Sequence, residues 1–402
     1  MSIVATASGG LEEALKAELA ELGMSGITVR GRTVRFEGGT RELYRANAMS
    51  RVASRFLVPI ARFKATSRDE LYEAAREIPW HTFIDPDMTF SVDSWARSDV
   101  WRDTRFLALK VKDALVDRVR EVRGRRPSVN STSPDLHIEV HAEDTTVTIS
   151  RDSTGAGLHV RGYRNETGEA PLRENIAAGL VRLAEYSRDS VLIDPMCGSG
   201  TIAIEAALIA RSVPPGILRR SWAFMRWKDF DPVVWSSVRR EMEDVMTESR
   251  SKPVAPIVAA DRDKNVLSVA KRNASRAGVG DLIEFRQEDL SWSVAGARER
   301  HRDHLGKNPI IVMNPPYGER MTENEITSTY TAIGDTLKRH GAGFTAWILT
   351  GSKEGVKSIG LRASRRHPIM NGGIDCRFLK YELYEGTGVE PAVDKTAPAE
   401  DR

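Results

Sequence analysis

Short apolar runs alternate with helix-length segments from about residue 155 onward, and this alternation restricts the fold more than any other feature of the sequence. The apolar runs cover residues 191–193, 256–260, 283–285, 309–313 and 346–349. The helical segments between them cover residues 172–184, 201–211, 264–277 and 327–340. Continuous apolar strands are typical of a parallel sheet that is buried on both faces. The pattern therefore predicts a doubly wound α/β sheet.

The rest of the chain departs from this alternation. In the first 154 residues, helical spacing and alternating strands predict small α+β units, at residues 11–22, 27–36, 106–119, 136–140 and 145–149. Residues 212–253 are too long for a simple crossover, and we expect a helical insertion there. Its tryptophans (Trp222, Trp227 and Trp235) would form local core or, alternatively, stack on nucleic-acid bases. The composition of residues 387–402 predicts a disordered tail.

The composition excludes several classes of protein. The chain has 402 residues, 41% of them apolar and 29% charged, which suits two or three globular domains. It has no run of 18 apolar residues, which excludes a membrane-spanning helix. Cys197 and Cys376 are the two cysteines, so a disulfide scaffold and a cysteine-rich metal site are excluded and a cytoplasmic location is predicted. The eight histidines show no His-x-His or His-Glu-x-x-His pattern, so no metal is predicted.

Arginine is concentrated in two parts of the N-terminal half. Residues 28–68 contain ten basic and two acidic residues, and residues 118–126 contain five arginines and one acid. Clusters of this kind in an otherwise balanced chain indicate a surface that contacts nucleic-acid phosphates, and a solvated basic surface is the alternative. From these clusters we predict that Arg51, Arg55, Arg125 and Arg126 contact nucleic-acid phosphates.

A glycine-rich turn follows the first apolar run of the α/β part. The segment reads Asp194-Pro-Met-Cys-Gly-Ser-Gly-Thr201, so a buried strand ends at Asp194 and a helix begins at Thr201. Glycines allow a ligand to approach the backbone, and the helix N-terminus offers free N–H groups. The segment has neither the Gly-Lys-Ser/Thr of a P-loop nor the G-x-G-x-x-G of a dinucleotide fold. A cofactor loop and a purely structural turn are both compatible with it.

Acidic residues follow the next two apolar runs. Asp261 ends the second run, with Arg262 behind it, and Asp289 follows the third run, next to Leu290. An acid after the second strand can accept hydrogen bonds from ribose hydroxyls, and one after the third can accept from an adenine amino group. Each acid alone is more often a cap or a surface residue. At successive strand ends they indicate a bound nucleoside.

The fourth apolar run ends in Asn314-Pro-Pro-Tyr-Gly318. Two consecutive prolines hold the backbone extended and remove two N–H donors. The Asn314 side-chain oxygen and the Pro315 carbonyl can then accept both hydrogens of one exocyclic amine. Tyr317 offers a face on which a flipped-out base can stack, worth about 1–3 kcal/mol. The motif therefore predicts chemistry on an amine, and a proline-rich turn is the alternative.

Taken together, these segments resemble class I S-adenosylmethionine-dependent methyltransferases, and more closely the RlmL-type branch of the THUMP-domain RNA methyltransferases. The segments that carry the resemblance are residues 158–164, 169–172 with Asn175, 194–200, 314–318 and 371–377. The resemblance implies a Rossmann-like class I methyltransferase domain at 155–386, preceded by an α+β ferredoxin-like segment at 1–42 and a THUMP RNA-binding domain at 43–154. It also implies the product, N2-methylguanosine in 23S ribosomal RNA or a large-subunit precursor.

Carried over by position, the resemblance also implies a set of site residues. The cofactor S-adenosyl-L-methionine would contact Asn175, Asp194, Pro195, Met196, Cys197, Gly198, Gly200, Thr201, Asp261, Arg262, Asp289, Leu290 and Asn314. The residues implied in catalysis are Asn314, Pro315, Pro316 and Tyr317. A second domain, which makes 7-methylguanosine in some RlmL proteins, is expected to be absent because this chain stops too early for it.

Some of these assignments have alternatives. Arg161 and Arg164 are predicted to contact RNA phosphates, or else to form an interdomain salt-bridge set. Asn175 could cap a neighbouring loop rather than approach the cofactor. Neither cysteine follows a proline, as the nucleophile of a pyrimidine methylase typically does, and this argues against covalent catalysis.

The function predicted from the sequence is direct in-line transfer of a methyl group to guanine N2, accelerated by alignment of donor and acceptor. Asn314 and Pro315 would stabilise the positive charge that develops on the nitrogen. A guanine in tRNA and an adenine N6 are alternative acceptors. An RNA-binding factor whose methylase activity has decayed is a further alternative, although the complete set of strand-end residues argues against decay.

Overall fold

Two β-sheets organise the computed structural model, which describes residues 1–164, 172–317 and 321–384. One sheet is formed by residues 2–152 and the other by residues 192–382. The predicted tail at 387–402, Gly318 and most of the 169–172 segment lie outside the described residues. No helix within the described ranges combines the length and the apolar character needed to span a bilayer.

The N-terminal sheet contains eight strands with four helices between them. The strands are β1 (Ser2–Thr6), β2 (Ser25–Arg30), β3 (Thr33–Glu37), β4 (Arg55–Lys64), β5 (Thr89–Arg97), β6 (Ser128–Val129), β7 (Leu136–Glu143) and β8 (Thr146–Asp152). The helices are α1 (Glu12–Glu21), α2 (Thr40–Met49), α3 (Arg68–Arg76) and α4 (Thr104–Arg123). The strand order is β2-β3-β1-β4-β8-β7-β5-β6.

Strand β4 joins the two predicted N-terminal domains into this one sheet. It pairs with β1 on one side and with β8 on the other, both antiparallel. The predicted boundary between residues 42 and 43 is wrong because it falls inside α2. Glu42 belongs to the first turn of that helix, where its carboxylate accepts a hydrogen bond from the Gly39 N–H at 2.7 Å. The first unit therefore continues through α2 towards β4.

The helices cover one face of this sheet and leave the other face open. In β7 the covered positions are fully buried, namely Leu136, Ile138, Val140 and Ala142. The residues between them are partly or fully exposed. A period of two in burial is what a sheet packed on a single face requires.

Helix α4 shows how the sequence sets the limits of an element. It begins after Asp103, whose carboxylate accepts a hydrogen bond from the Arg105 N–H at 3.1 Å. It ends at Gly124, which has a φ of 74°. Between these ends Leu107, Val111 and Leu115 recur every fourth residue and are fully buried. One apolar stripe therefore fixes the helix on the sheet.

Among the described residues after 164, seven strands form the second sheet and seven helices accompany it. The strands are β9 (Leu192–Asp194), β10 (Ile257–Asp261), β11 (Ile283–Gln287), β12 (Ile310–Met313), β13 (Thr345–Thr350), β14 (Arg365–Asn371) and β15 (Ile374–Glu382). The helices are α5 (Glu174–Leu183), α6 (Thr201–Ala210), α7 (Pro232–Arg250), α8 (Lys264–Arg276), α9 (Leu290–Arg300), α10 (Glu323–His340) and α11 (Lys353–Ser358). The strand order is β11-β10-β9-β12-β13-β15-β14.

The predicted α/β class is confirmed, with one addition at the edge of the sheet. Strands β9 to β13 are parallel, and all five apolar runs form strands. The β14–β15 hairpin, which the periodicity did not predict, adds two antiparallel strands beside β13. It turns at Gly372, whose φ is 65°.

The predicted insertion at 212–253 is helical and docks the second unit on the first. It contains α7 and a short 3-10 turn at Ala223–Arg226. Trp222 and Trp227 are buried, so the local-core interpretation is correct for these two side chains. Phe224 stacks on Tyr44 of α2 with ring centroids 4.1 Å apart. The insertion is thus part of the contact between the two sheets.

Candidate active site

Three neighbouring strands bring Asp194, Asp261 and Asn314 to one edge of the second sheet. Asp194 ends β9, Asp261 ends β10, and Asn314 directly follows β12. Strand β9 lies between the other two and runs parallel to both. The strand order reverses here, and ligands of open α/β sheets bind at the carboxyl ends of the strands around such a point. The predicted residues therefore share the edge at which a ligand site is expected.

Asp261 holds the glycine-rich turn in shape. Gly198 and Gly200 have φ values of 54° and 83°, which residues with side chains rarely adopt. The Gly198 N–H donates to Asp261 Oδ2 at 3.0 Å, and Asp261 Oδ1 accepts from the Asp263 N–H at 2.9 Å. A side chain at Gly200 would also come within 3.0 Å of Ala270 Cβ. The turn is consequently a fixed structure whose open side faces the sheet edge.

Asp194 is a buried acidic residue whose two carboxyl oxygens can still accept hydrogen bonds. It is 1% exposed. The backbone N–H groups of Met196 and Ala203 approach its carboxylate, but no group of the described residues forms a hydrogen bond of good geometry with either oxygen. Burial raises the pKa of Asp194 well above its usual range, the negative charge of Asp261 raises it further, and the two N–H groups lower it by less. A buried acceptor of this kind requires a donor. A ligand that brings an amine or a hydroxyl would supply that donor.

Asn314 presents a second open acceptor at the same edge. Its Oδ1 atom is buried and has no hydrogen-bond donor among the described residues. Pro315 behind it is buried and Pro316 is exposed. Because prolines lack an N–H group, this segment offers oxygens to a bound molecule.

Tyr317 is fixed by residues to which the sequence analysis gave no role. Its hydroxyl accepts hydrogen bonds from Asn371 Nδ2 at 2.8 Å and from Cys376 Sγ at 3.4 Å. Its ring lies against Gly351, where a Cβ would come within 3.2 Å of Tyr317 Cδ2. Burial raises the pKa of Tyr317, so the hydroxyl stays protonated. The only signal in the sequence was the 371–377 motif, to which no function was attached.

The other predicted cofactor residues lie around the same edge. Asp289 is exposed and caps α9, because its Oδ1 accepts from the Trp292 N–H at 3.0 Å. Arg262 is exposed, while Leu290 and Met196 are partly buried and Pro195 is buried. Burial, together with the nearby Asp194 charge, raises the pKa of the Cys197 thiol well above its ordinary value. A thiol in that state is a poor nucleophile.

The prediction of RNA contacts is wrong for Arg161, Arg164 and Arg51, because their side chains are used inside the protein. Arg161 is 3% exposed and ion-pairs with Glu205 at 3.5 Å. Arg164 donates to Thr201 Oγ1 at 2.5 Å and to the Leu172 carbonyl at 3.0 Å.

Arg51 donates to the Leu208 and Val213 carbonyls across the domain contact. Arg161 does form a salt bridge, but its partner Glu205 lies in the same predicted domain, and its contact with the other unit is a hydrogen bond to the Arg51 carbonyl. Arg55 is also engaged, by the buried carboxylate of Asp152. Arg125 and Arg126 are exposed, so RNA contact by them stays a prediction.

Asn175 connects the two units. It is 1% exposed, and its Nδ2 donates to Ser54 Oγ at 3.1 Å and to the Val52 carbonyl at 3.4 Å. These contacts agree with the predicted alternative of a cap on a neighbouring loop. Its Oδ1 is buried without a donor among the described residues. Contact of Asn175 with a cofactor stays a prediction.

Within the described ranges, one group of possible metal ligands is found, and it lies away from this edge. Asp93, His137 and Glu139 on β5 and β7 have ligand atoms within 4.8 Å of one another. His137 Nε2 lies 3.0 Å from Asp93 Oδ2, and His137 Nδ1 lies 3.0 Å from Asp152 Oδ2. These contacts account for the grouping as a hydrogen-bonded set. The absence of a metal from the reaction stays a prediction.

Three protein-family models match the sequence. Residues 2–57 match the RlmL ferredoxin-like domain, and residues 65–152 match the THUMP domain. Residues 161–380, more than half of the chain, match the RMKL-like methyltransferase domain of the UPF0020 family. The gap between the first two matches, residues 58–64, lies in β4, which agrees with a first unit that continues through α2 towards this strand.

Two curated relatives cover nearly the whole chain. A Synechocystis protein named "Putative RNA methyltransferase slr0064" is 36% identical over 381 residues, which are 94% of this chain and 96% of that protein. The ribosomal RNA large subunit methyltransferase K/L of Syntrophotalea carbinolica is 37% identical over 389 residues. The match covers 95% of this chain but 53% of that enzyme.

Solved structures share the architecture over nearly the whole chain. A structure described as a predicted N6-adenine-specific DNA methylase from Listeria monocytogenes is 34% identical, with a TM-score of 0.83 over 95% of this chain and 96% of that chain. SMU.472, solved in complex with SAH, is 26% identical, with a TM-score of 0.81 over 96% of this chain and 99% of that chain.

Proposed function

Because the chain belongs to the RMKL-like methyltransferase family, we propose that it transfers a methyl group from S-adenosyl-L-methionine to the exocyclic N2 amine of a guanine in 23S ribosomal RNA. The RlmL ferredoxin-like and THUMP matches support RNA as the substrate. The likeness to the large-subunit methyltransferase K/L supports ribosomal RNA. A cytoplasmic location, where that RNA would be modified, is part of the proposal.

The residues at the sheet edge fit the proposed cofactor. Asp194 provides buried acceptor oxygens that form no hydrogen bond of good geometry among the described residues, and the glycine turn provides a fixed backbone. We assign Asp261 to the ribose and Asp289 to the adenine, in keeping with their places at the ends of β10 and β11. When bound, the sulfonium supplies an activated methyl group. The protein's task is then to hold the acceptor amine in line with it.

Asn314 carries the proposal for the acceptor. Its Oδ1 atom, which is buried and has no donor among the described residues, is the single observation that favours transfer to an NH2 group most directly. The Pro315 carbonyl would accept the second hydrogen of the same amine. Two acceptors held in place before the reaction would stabilise the positive charge that develops on the nitrogen. Tyr317, held by Asn371, would support the flipped base.

Nucleoside mass spectrometry tests the proposal. We expect a strain without this gene to lose one N2-methylguanosine from large-subunit RNA, and the purified chain with S-adenosylmethionine to restore it. Loss of N2-methylguanosine from tRNA alone would identify tRNA as the substrate. The Asn-Pro-Pro-Tyr motif also suits an adenine amine, and one structural relative is described as an adenine methylase. Loss of N6-methyladenine with guanine methylation unchanged would therefore refute the guanine assignment.

A further inference from the structure

A stacked aromatic pair lies on the open face of the N-terminal sheet. Trp95 of β5 and His141 of β7 are register partners, and their ring centroids are 3.5 Å apart with an interplanar angle of 18°. Trp95 is 45% exposed, although it is one of the largest apolar side chains in the protein. His141 covers one side of the indole, so the exposed area lies on its other side. A large aromatic group held rigid yet exposed is typical of a contact site.

Basic side chains flank this pair along the same face. The register leads from His141 to Thr148 of β8 and on to Arg62 of β4. Arg62 therefore lies three strand spacings from Trp95, about 14 Å. In the next row of the face, Lys64 of β4 and Arg97 of β5 occupy the corresponding positions.

The cations of this region are available to a ligand. Arg62, Lys64 and Arg97 are exposed. Within residues 1–164, 172–317 and 321–384, their charged groups form no ion pair or hydrogen bond. Arg35 of β3 lies close enough to Arg62 for their charges to repel. Burial is the larger cause of the lowered pKa of Arg35, and repulsion by Arg62 is the second. Unneutralised cations in proximity favour a polyanion.

The acidic residues of the open face are mostly on the opposite half. Asp93 and Glu139 lie in the row on the far side of Trp95, and Asp152 lies beyond them. These acids are occupied, because all three have an oxygen within 4.0 Å of a His137 ring nitrogen and Asp152 also contacts Arg55. Glu143 is the acid within the basic half. The face is thus divided into an internally paired acidic half and a basic half that includes the aromatic pair.

We propose that the basic half of this face binds a single-stranded segment of the RNA substrate, with a base stacked on Trp95 and phosphates on the flanking cations. We call it the stacking platform, and it consists of Trp95, His141, Arg35, Arg62, Lys64 and Arg97. The proposal rests on the RNA substrate of the proposed function. Stacking requires a single strand because the faces of bases in a duplex are covered.

Binding of a fluorescein-labelled single-stranded RNA of about 12 nucleotides, followed by fluorescence anisotropy, tests the platform. We expect Trp95→Ala to weaken binding of this RNA by about 5- to 150-fold. Trp95→Phe keeps an aromatic face, so its affinity for this RNA should lie between those of the wild type and Trp95→Ala. Tyr384→Ala is the matched control, because Tyr384 is 69% exposed but lies at the end of the other sheet. Its affinity should equal that of the wild type.

The flanking cations have a separate signature. Arg62→Gln and Lys64→Gln should each reduce the slope of log affinity against log salt by about 0.7, whereas Trp95→Ala should leave the slope unchanged. Trp95→Ala and wild type should bind an RNA duplex of the same length with equal affinity. Equal affinity of Trp95→Ala and wild type for the single strand would overturn the platform. An equal loss with the duplex in a variant of unchanged melting temperature would also overturn it.

The outcome for the platform is separable from that for the methylation chemistry. If wild type binds the single strand through Trp95 but yields no N2-methylguanosine, the platform stands and the guanine assignment fails. If Trp95→Ala methylates ribosomal RNA as efficiently as the wild type does, the proposed chemistry stands and the platform is overturned. If wild type binds no RNA at all, both are overturned.

Discussion

The hydroxyl of Tyr317 and the side-chain amide of Asn371 are 2.8 Å apart, although 54 residues separate them in the chain. Asn371 ends β14 at the turn of the edge hairpin, and Cys376 of β15 reaches the same hydroxyl. The hairpin thus braces the residue that follows the two prolines. Since we propose that the flipped acceptor base stacks on the Tyr317 ring, the hairpin would take part in orienting that base.

Removing this brace should reduce turnover without abolishing it. Tyr317→Phe keeps the ring and loses both hydrogen bonds, which are worth about 0.5–1.5 kcal/mol each when neutral, so we expect kcat/KM to fall about 2- to 10-fold per bond. Tyr317→Ala also loses the stacking surface and should fall further. Steady-state kinetics on ribosomal RNA would show this. Asn371→Ala combined with Tyr317→Phe should add little to Tyr317→Phe, and full additivity would contradict a shared role.

Asn314→Ala should separate cofactor binding from chemistry. The variant removes an acceptor that we assign to the charge-developing amine, and losses of this kind cost about 100- to 1000-fold in kcat. The cofactor affinity should stay nearly constant, because Asp194, Asp261 and the glycine turn are untouched. Calorimetric titration with S-adenosylmethionine and single-turnover methylation measure the two quantities. Turnover at the wild-type level would remove Asn314 from the mechanism.

The sequence predicted which residues meet at one edge of the second sheet better than it predicted the contacts of individual arginines. The edge could be predicted because the alternation of buried strands and helices determines where strand ends meet, so Asp194, Asp261 and Asn314 were brought together as expected. The brace on Tyr317 could not be predicted, because it depends on an antiparallel hairpin whose place beside β13 has no local signal.

The partners of the arginines, by contrast, could not be predicted from the sequence. A cluster of arginines in a sequence does not reveal which of them has an internal acceptor. Arg161 meets Glu205 of α6, and Arg51 meets backbone carbonyls on the far side of the domain contact. These partners become visible only in the folded chain. Composition predicted the abundance of positive charge correctly but not its placement.

Asp194 should make the ligand-free protein less stable as the pH rises. Burial, then the charge of Asp261, raises its pKa in the folded state above the ordinary value of 3.8. A carboxyl with a raised folded pKa supports folding at low pH and loses that contribution as the pH increases towards the folded pKa. Asp194→Asn removes this titration.

The melting temperature of Asp194→Asn relative to wild type should therefore increase from about pH 4 upward and then level off. Each kcal/mol corresponds to about 2–4 °C for a domain of this size. Thermal melts across a pH series measure the difference without any ligand. The same variant should bind S-adenosylmethionine at least about tenfold more weakly if Asp194 receives a cofactor donor. A difference in melting temperature that is independent of pH would contradict the titration of Asp194.

Arg125 and Arg126 remain the exposed members of the predicted RNA-contact set. Exposed arginines that contact phosphates contribute to binding through counterion release, so Arg125→Gln and Arg126→Gln should each lower the salt slope by about 0.7 to 0.9. Their stability should stay within about 0.5 kcal/mol of wild type. Filter binding at several salt concentrations and a urea melt measure these properties. An unchanged slope in the double variant would exclude both residues from the RNA contact.

Arg161 should behave in the opposite way, because its partner is a buried acid. Glu205 is fully buried, and apart from Arg161 it receives a hydrogen bond from the Tyr163 hydroxyl at 3.1 Å. Arg161→Met leaves that charge without its cation, and such a loss costs about 3–5 kcal/mol in free energy of unfolding. Arg161→Met with Glu205→Gln removes both charges and should recover most of the loss. Urea denaturation of the four proteins in this cycle gives the coupling energy. A stable Arg161→Met protein with weakened RNA binding would restore the phosphate-contact role and contradict the structural one.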